Sequence, residues 1–279
     1  MLISVIIPFY KGNEYMKQLV TILNENYLYL SKTNNNVEVI FVNDSPNVSI
    51  KFDKVLPLFD YKIINNKHNL GIHGTRIQGL KKCNGDYVMF LDQDDLITED
   101  CLYSQIITIK DYDFIVCNGY IKELEGSENL IFKSLRHQQC CLNLQFHYGY
   151  TNPIISPGQV LLKKNIIPKE WTNYSFKNNG ADDHYLWLLL LEEKRKGTIN
   201  ENCLYTHVAT GNNTSLNIQG MAASNLELIS LLQDKACKHN LDMLRRRVIY
   251  NASCNHNIIT KLKFIDVALT KYKYSKLLK

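Results

Sequence analysis

The chain has 279 residues, 45% of them hydrophobic and 21% charged, with a formal net charge of +5. These values suit a globular protein with one large core or two smaller ones. They exclude disorder, collagen and coiled coil as the main architecture, and the charge is too small to argue for nucleic-acid binding. No basic leader with a cleavage site and no run of 18 apolar residues is visible, so neither a secretory signal nor a spanning helix is expected. Eight cysteines, at 83, 101, 117, 140, 141, 203, 237 and 254, form no CxxC pair. They read as reduced thiols of a cytosolic protein rather than as a zinc or redox centre.

The first hundred residues alternate strand and helix patterns. Ile3 to Pro8 is a continuous apolar run of buried-strand type, and residues 14–30 carry apolar side chains at helical spacing. Val37 to Val42 reads as a second strand and Tyr61 to Ile64 as a third. Leu70 to Cys83 reads as a helix stopped by Asn84-Gly85, and Tyr87 to Leu91 as a fourth strand. This succession predicts βαβ units and a mostly parallel sheet, with ligands at the carboxyl ends of the strands. Further on, Asp113 to Cys117 and Gly158 to Leu162 suit strands and Asp182 to Arg195 a strong helix. Ala222 to Lys238 and Leu241 to Tyr250 suit further helices, while residues 120–155 are ambiguous. The tail from Asn257 onward places Ile258, Leu262, Ile265 and Leu269 on one helical face.

The chemistry concentrates first at Asp92-Gln93-Asp94-Asp95, directly after the fourth strand. Three acids so close repel one another unless a cation intervenes, and hard oxygen ligands suit Mg²⁺ or Mn²⁺. The competing reading has Asp94 or Asp95 capping a helix that starts near Thr98, with the others solvated.

Four stretches bear on the choice: Ser4 to Tyr10, Val39 to Ser45, Asn69 to Gly79 and Gly85 to Asp95. Together they resemble the family 2 glycosyltransferases of the GT-A fold, of bacterial polysaccharide type. The resemblance implies an α/β, Rossmann-like, mostly parallel sheet flanked by helices. It covers the first hundred residues well and the rest more loosely. It implies a transferase domain over residues 1–218, with a nucleotide-binding half (1–100) and an acceptor-side half (101–218), followed by a helical C-terminal extension (219–279). By position it places Asp44 at the acid that contacts the nucleoside base and Arg76 at a nucleotide- or phosphate-binding arginine. Pro8, Tyr10 and Gln93 fall at nucleotide-binding positions. Asp92 matches the first acid of the DxD motif, near ribose and metal, and Asp94 the second, a direct metal ligand. Asn43, Thr75 and Ile77 depart from the family phrases. The alternative for Arg76 is a solvated surface cation.

A second acidic pair, Asp182-Asp183, opens the apolar helix with Trp187. Helix N-termini favour anions, so one of the two could serve as a cap. The resemblance places Asp183 at the catalytic base. In the stretch 203–215, His207 stands where it could complete the metal shell or touch the diphosphate, with a structural histidine as the alternative. His73, His147 and His184 read as structural, and Gln159 or Trp171 as candidate sugar contacts.

The resulting expectation is an inverting, metal-dependent glycosyltransferase. It would use a nucleotide sugar, with UDP as the default nucleotide, and a glycan or lipid-linked glycan acceptor in surface polysaccharide synthesis such as capsule or O-antigen. The alternatives are a sugar-phosphate nucleotidyltransferase, which wants a glycine-rich basic loop after the first strand, and a non-catalytic nucleotide- or glycan-binding protein. The tail, with six lysines against one aspartate from residue 261 on, suits either an anionic membrane surface or a helix packed on the domain. The expected location is the cytoplasm, at the inner face of the membrane if the tail binds there.

Overall fold

The apolar runs become strands buried on both faces, as crossover helices require of a parallel sheet. In the computed structural model, which describes residues 1–52, 55–211, 213, 216–253 and 262–277, β1 (Leu2–Phe9) pairs in parallel with β2 (Asn36–Asn43) and with β4 (Tyr87–Phe90). β2 pairs in parallel with β3 (Asp60–Asn65). Between them lie α1 (Met16–Leu30) and α2 (Gly71–Lys82). α2 approaches β1 and β2 closely at Gly79, where a side chain would strike Ile6 and Val42.

The later elements are β5 (Leu96–Ile97), α3 (Cys101–Ile109), β6 (Phe114–Lys122), β7 (Glu128–Leu130), α4 (Leu135–Gln139) and α5 (Leu144–Gly149). They continue with β8 (Val160–Lys163), α6 (Lys169–Asn173), α7 (Asp182–Glu192), β9 (Gly197–Val208), α8 (Ile218–Leu231), α9 (Lys238–Ala252) and α10 (Ile265–Leu277). One sheet runs β3-β2-β1-β4-β8-β6-β9-β5, with β7 beside β6. Its first four strands are parallel. β8 enters antiparallel to both β4 and β6, and β9 pairs in parallel with β6 and antiparallel with β5. Chain order runs outward from β1 to β3 and then returns to β4 on the other side of β1. That reversal opens a crevice at the carboxyl ends of β1 and β4.

The chain divides into two compact units. The first, residues 1–131, 155–175 and 196–211, holds the whole sheet with α1, α2, α3 and α6. The second, residues 132–154, 176–195 and 212–279, is helical. Segments 132–154 and 176–195, which the sequence reading places in the transferase domain, thus pack with the helices beyond residue 211.

The tail is a helix, as its spacing predicts, but its expected apolar face points outward. Phe264 and Val267 are buried with Tyr250, whereas Leu262, Ile265 and Leu269 are exposed; Ile258 lies outside the described residues. Aromatic and ionic contacts set this orientation. Arg246 pairs with Asp266 through two 2.7 Å bonds and lies over the Phe264 ring, and Tyr274 packs against Phe146 and Tyr150.

Candidate active site

The first unit gathers the predicted residues at the carboxyl ends of β1, β2 and β4. Asp44 follows β2 and is buried. Its Oδ1 accepts from Asn66 Nδ2 (2.8 Å) and the Leu70 N–H (2.8 Å), and its Oδ2 accepts from the Gly71 N–H (3.0 Å). Asp44 therefore fastens the start of α2 to the end of β2, work that the sequence reading did not assign to it. A carboxylate offers about four acceptor sites, so one remains on Oδ2. Asn43, where the family often has an acid, is structural: its amide bonds the Val48 carbonyl, Asn65 and the Ser45 N–H.

After β1 the chain turns through Lys11, which has φ of 51°. Two side chains hold this turn. Ser45 Oγ accepts from the Lys11 N–H at 2.9 Å. The Gln93 amide accepts from the Tyr10 N–H (2.9 Å) and donates to the Tyr10 carbonyl (3.1 Å). Gln93, expected to touch nucleotide, thus has both ends of its amide engaged by Tyr10, whose ring is exposed. Pro8 lies within β1 in register with Val42.

The three acids after β4 have different surroundings. Arg76, on α2, is buried rather than solvated, and its Nη2 donates to Asp92 Oδ1 at 2.6 Å. Asp92 Oδ2 accepts from Ser156 Oγ at 3.3 Å. Asp95 is fully buried and caps no helix. Its Oδ1 meets His207 Nδ1 (3.0 Å) and the Val208 N–H (3.1 Å), and its Oδ2 accepts from Ser156 Oγ (3.3 Å) and the Tyr205 hydroxyl. The β5–β9 pairing, with Leu96 opposite Thr206, brings these residues together. Burial works against a charged His207, but the bond to Asp95 and the nearby acids outweigh it and hold the ring pKa above its ordinary value. Asp94 is bonded to its own backbone N–H. Burial, then repulsion from Asp95 and Asp92, pushes its pKa up to about 6.

Among the described residues no three His, Cys, Asp or Glu side chains form a ready-made metal cage. The donor set nonetheless fits a hard divalent cation of the Mg²⁺ type, which typically takes one or two carboxylates and completes its shell with substrate phosphates and water. Asp94 lies beside two carboxylates, Asp92 and Asp95, that their own partners hold in place.

Two candidate sugar contacts are corrected. Gln159 is wholly buried, accepting from the Ile155 N–H and donating to the Cys117 carbonyl. Trp171 is core, packed against His73 and Phe90. His73 is likewise buried. Tyr205 was missed as a site residue, and Ser156 is marked in the sequence only by its place in the turn 156–159, which resembles the family's acceptor-side turn. Their contacts with the acids arise from the pairing of distant strands.

In the second unit, Asp183 stands in the first turn of α7. The helix-capping position is Ala181, with no side-chain cap, so neither aspartate is the N-cap residue. Asp183 Oδ1 accepts from the His184 N–H (2.7 Å), and its Oδ2 accepts from Asn152 Nδ2 (3.1 Å). Asn152 is oriented in turn by the Ile154 N–H, which donates to its Oδ1. His184 is buried and stacks on His147, with ring centroids 5.5 Å apart.

Comparison with known proteins places this geometry. Residues 4–171 match the family model of glycosyl transferase family 2. An uncharacterized glycosyltransferase of Haemophilus influenzae is 30% identical over 221 residues, spanning 75% of this chain and 77% of the relative. The Escherichia coli UDP-Glc:alpha-D-GlcNAc-diphosphoundecaprenol beta-1,3-glucosyltransferase WfgD is 25% identical over 202 residues, covering 71% of this chain and 73% of its own length. Some relatives are much longer: the chain spans 18% of a Streptococcus pneumoniae glycosyltransferase, GlyA, and 30% of an uncharacterized one from Rickettsia bellii. The fold is similar to that of S. aureus TarS 1-349 in complex with UDP-GlcNAc (TM-score 0.62, 14% identity, 100% of this chain and 82% of that one). It is also similar to the Pyrobaculum calidifontis mannosyltransferase PcManGT in complex with GDP-Man and Mn²⁺ (TM-score 0.58, 12% identity, 99% and 83%). With the parallel strands and the strand-end acids falling inside the matched residues, the chain belongs to glycosyl transferase family 2.

Proposed function

We propose that the protein moves a sugar from a UDP-sugar to a hydroxyl of a lipid-linked glycan during polysaccharide synthesis, with inversion at the anomeric carbon. The observation that carries this reading is the arrangement at the carboxyl ends of β2 and β4: Asp44, the Arg76–Asp92 pair and the charge-crowded Asp94. The remaining acceptor site of Asp44 suits a uracil imide N–H. Arg76 orients Asp92 toward the ribose side. Asp94, with Asp92 and His207, would hold Mn²⁺ or Mg²⁺, which stabilises charge developing on the leaving diphosphate. WfgD, by its name, transfers glucose from UDP-Glc to a diphosphoundecaprenol-linked sugar, and TarS binds UDP-GlcNAc; both favour this donor and acceptor class.

Asp183 is the proposed base. An acceptor hydroxyl is a poor nucleophile until its proton is removed. As that proton passes to Asp183, the alkoxide oxygen bonds to the anomeric carbon and the bond to the diphosphate oxygen breaks. One such displacement inverts configuration and needs no protein nucleophile. Asn152 and the His184 N–H fix the orientation of the carboxylate.

The test is a screen of nucleotide sugars for slow hydrolysis and transfer, alongside UDP-induced thermal stabilisation with and without Mn²⁺. Wild type gains stability from UDP plus metal. Asp94→Ala loses the metal-dependent part of that gain. Asp183→Asn keeps it but loses about 10²–10⁴-fold in transfer. Undiminished transfer by Asp183→Asn removes the base assignment, and no response to any nucleotide removes the donor assignment.

A further inference from the structure

The tail helix α10 is apolar on two sides. On the inner side Phe264 and Val267 are buried, and Tyr274 packs against Phe146 with ring centroids 4.9 Å apart. On the outer side Ile265, Leu269 and Tyr272 follow at i, i+4 and i+7, which is one stripe of an α-helix. They are 53%, 61% and 59% exposed, and Leu262, just before the helix, is 64% exposed. A helix at the surface of a globular protein ordinarily carries one apolar stripe, and here that stripe is already used. The second one faces solvent.

The charges beside the outer stripe are of one sign. From Leu262 to Lys276 the lysines are 263, 271, 273 and 276, and the lone acid, Asp266, is held by Arg246. Lys271 is turned toward α9, 2.6 Å from Asn251 Oδ1 and over the Tyr250 ring. Lys276 lies on the stripe itself, one turn beyond Tyr272, with its ammonium 4.4 Å from the Tyr272 ring centroid. Lys263 and Lys273 flank the helix, their ammonium groups 5.7 and 6.0 Å from the Phe264 and Tyr274 rings. The outer face therefore offers apolar side chains, a tyrosine with a polar tip and the Lys276 ammonium, with two more exposed lysines at its sides.

We propose that this face rests on an anionic membrane surface. Ile265, Leu269 and Tyr272 would enter the boundary between headgroups and acyl chains, and Lys263, Lys273 and Lys276 would lie against lipid phosphates. An apolar face with flanking lysines is the composition of helices that lie in a membrane interface, and tyrosine favours that boundary because one end is apolar and the other wet. A second copy of the chain fits the face less well. A two-fold contact sets the same patch against itself and would bring these lysines toward their counterparts. A short stripe with a few lysines gives reversible attachment, not insertion, in keeping with the finding that among the described residues no helix is long and apolar enough to cross a membrane. The inference stands on α10 alone and does not depend on the transferase reading.

The test uses the full chain with sedimenting vesicles of phosphatidylglycerol or of phosphatidylcholine, at low and high salt. Wild type is expected to co-sediment with the anionic vesicles at least tenfold better than with the neutral ones, and to be released by salt. The triple variant Ile265→Ser, Leu269→Ser, Tyr272→Ser is expected to lose binding at least tenfold with an unchanged far-ultraviolet helix signal. The triple variant Lys263→Gln, Lys273→Gln, Lys276→Gln, which leaves every apolar side chain in place, is expected to lose the preference for anionic lipid. It decides the matter should the serine variant fail to fold. Equal binding to both lipids, no binding to either, or lysine-variant binding equal to wild type overturns the proposal. So does light scattering that shows a dimer dispersed by the serine variant, which would make a second copy the occupant.

Discussion

The second unit contains a buried cluster of two histidines and an arginine, and it makes this part of the protein acid-sensitive. His147 has no solvent exposure. Its Nε2 lies 2.9 Å from the Cys141 carbonyl, its ring stacks on that of His184, and Arg247 Nη1 donates to its backbone carbonyl at 2.7 Å. Burial pushes the ring pKa down from 6.5 to about 4, the bond to the Cys141 carbonyl works against this, and Arg247 adds to it; His184 is depressed for the same first reason. The sign follows from proton uptake. Below about 6.5 the unfolded chain binds a proton that the folded chain refuses, so stability is full above that pH and falls as pH drops toward 4. The whole displacement corresponds to about 3 kcal/mol, of which about 2 kcal/mol is lost between pH 7 and pH 5. The assay is urea unfolding at both pH values, followed by Trp187 fluorescence in a Trp171→Phe background so that the signal comes from the second unit. His147→Gln keeps a donor for the Cys141 carbonyl but cannot titrate. It should lose about 2 kcal/mol less than its parent on going to pH 5. An identical pH dependence in the two proteins would refute the assignment of a neutral, proton-refusing His147.

Two further substitutions test the framework of the first unit. Asp95→Ala strands the buried Tyr205 hydroxyl and removes an acceptor from the Val208 N–H, and should lower stability by about 2 kcal/mol in urea unfolding; an alanine variant as stable as wild type would show that Asp95 holds nothing together. Gly119 lies where β6 and β9 change register, and a side chain there would strike the Tyr205 carbonyl of the adjacent strand. Gly119→Ala should therefore destabilise by about 1–3 kcal/mol and perturb Tyr205 and His207 beyond it, visible as a lowered thermal midpoint together with weaker UDP binding; unchanged values in both would contradict the close approach.

What the sequence disclosed follows from where burial is two-sided. β1, β2 and β4 announce themselves because Val5, Ile40 and Met89 stand in runs that are apolar apart from Ser4 and Glu38. β9 does not: Gly197–Val208 is half polar and partly exposed, and its partner β6 shifts register at Asn118. The tail was legible as a helix but not in its orientation, since the choice between the Phe264 face and the Ile265 face rests on Arg246, Tyr250 and Tyr274, which spacing does not rank. Gln93 was legible as a site neighbour, yet its partner is the Tyr10 backbone, and only the fold sets those two loops side by side.

The cluster Asp92-Gln93-Asp94-Asp95 shows the same limit in its electrostatics. On paper three acids in four residues are equivalent, and a solvated turn explains them as well as a cation does. In the folded chain they are not equivalent. Asp92 is paired with a buried arginine, and Asp95 is held by Tyr205, His207, Ser156 and the Val208 N–H. Those partners keep two carboxylates fixed beside the third, whose pKa is raised to about 6, first by its own burial and then by repulsion from the fixed pair. Fully solvated acids would not produce that rise, since water screens neighbours at this distance and leaves each near its ordinary value. The engaged pair thus sets Asp94 apart from its neighbours, and the asymmetry comes from residues 16 positions before Asp92 and 61 to 113 positions after Asp95.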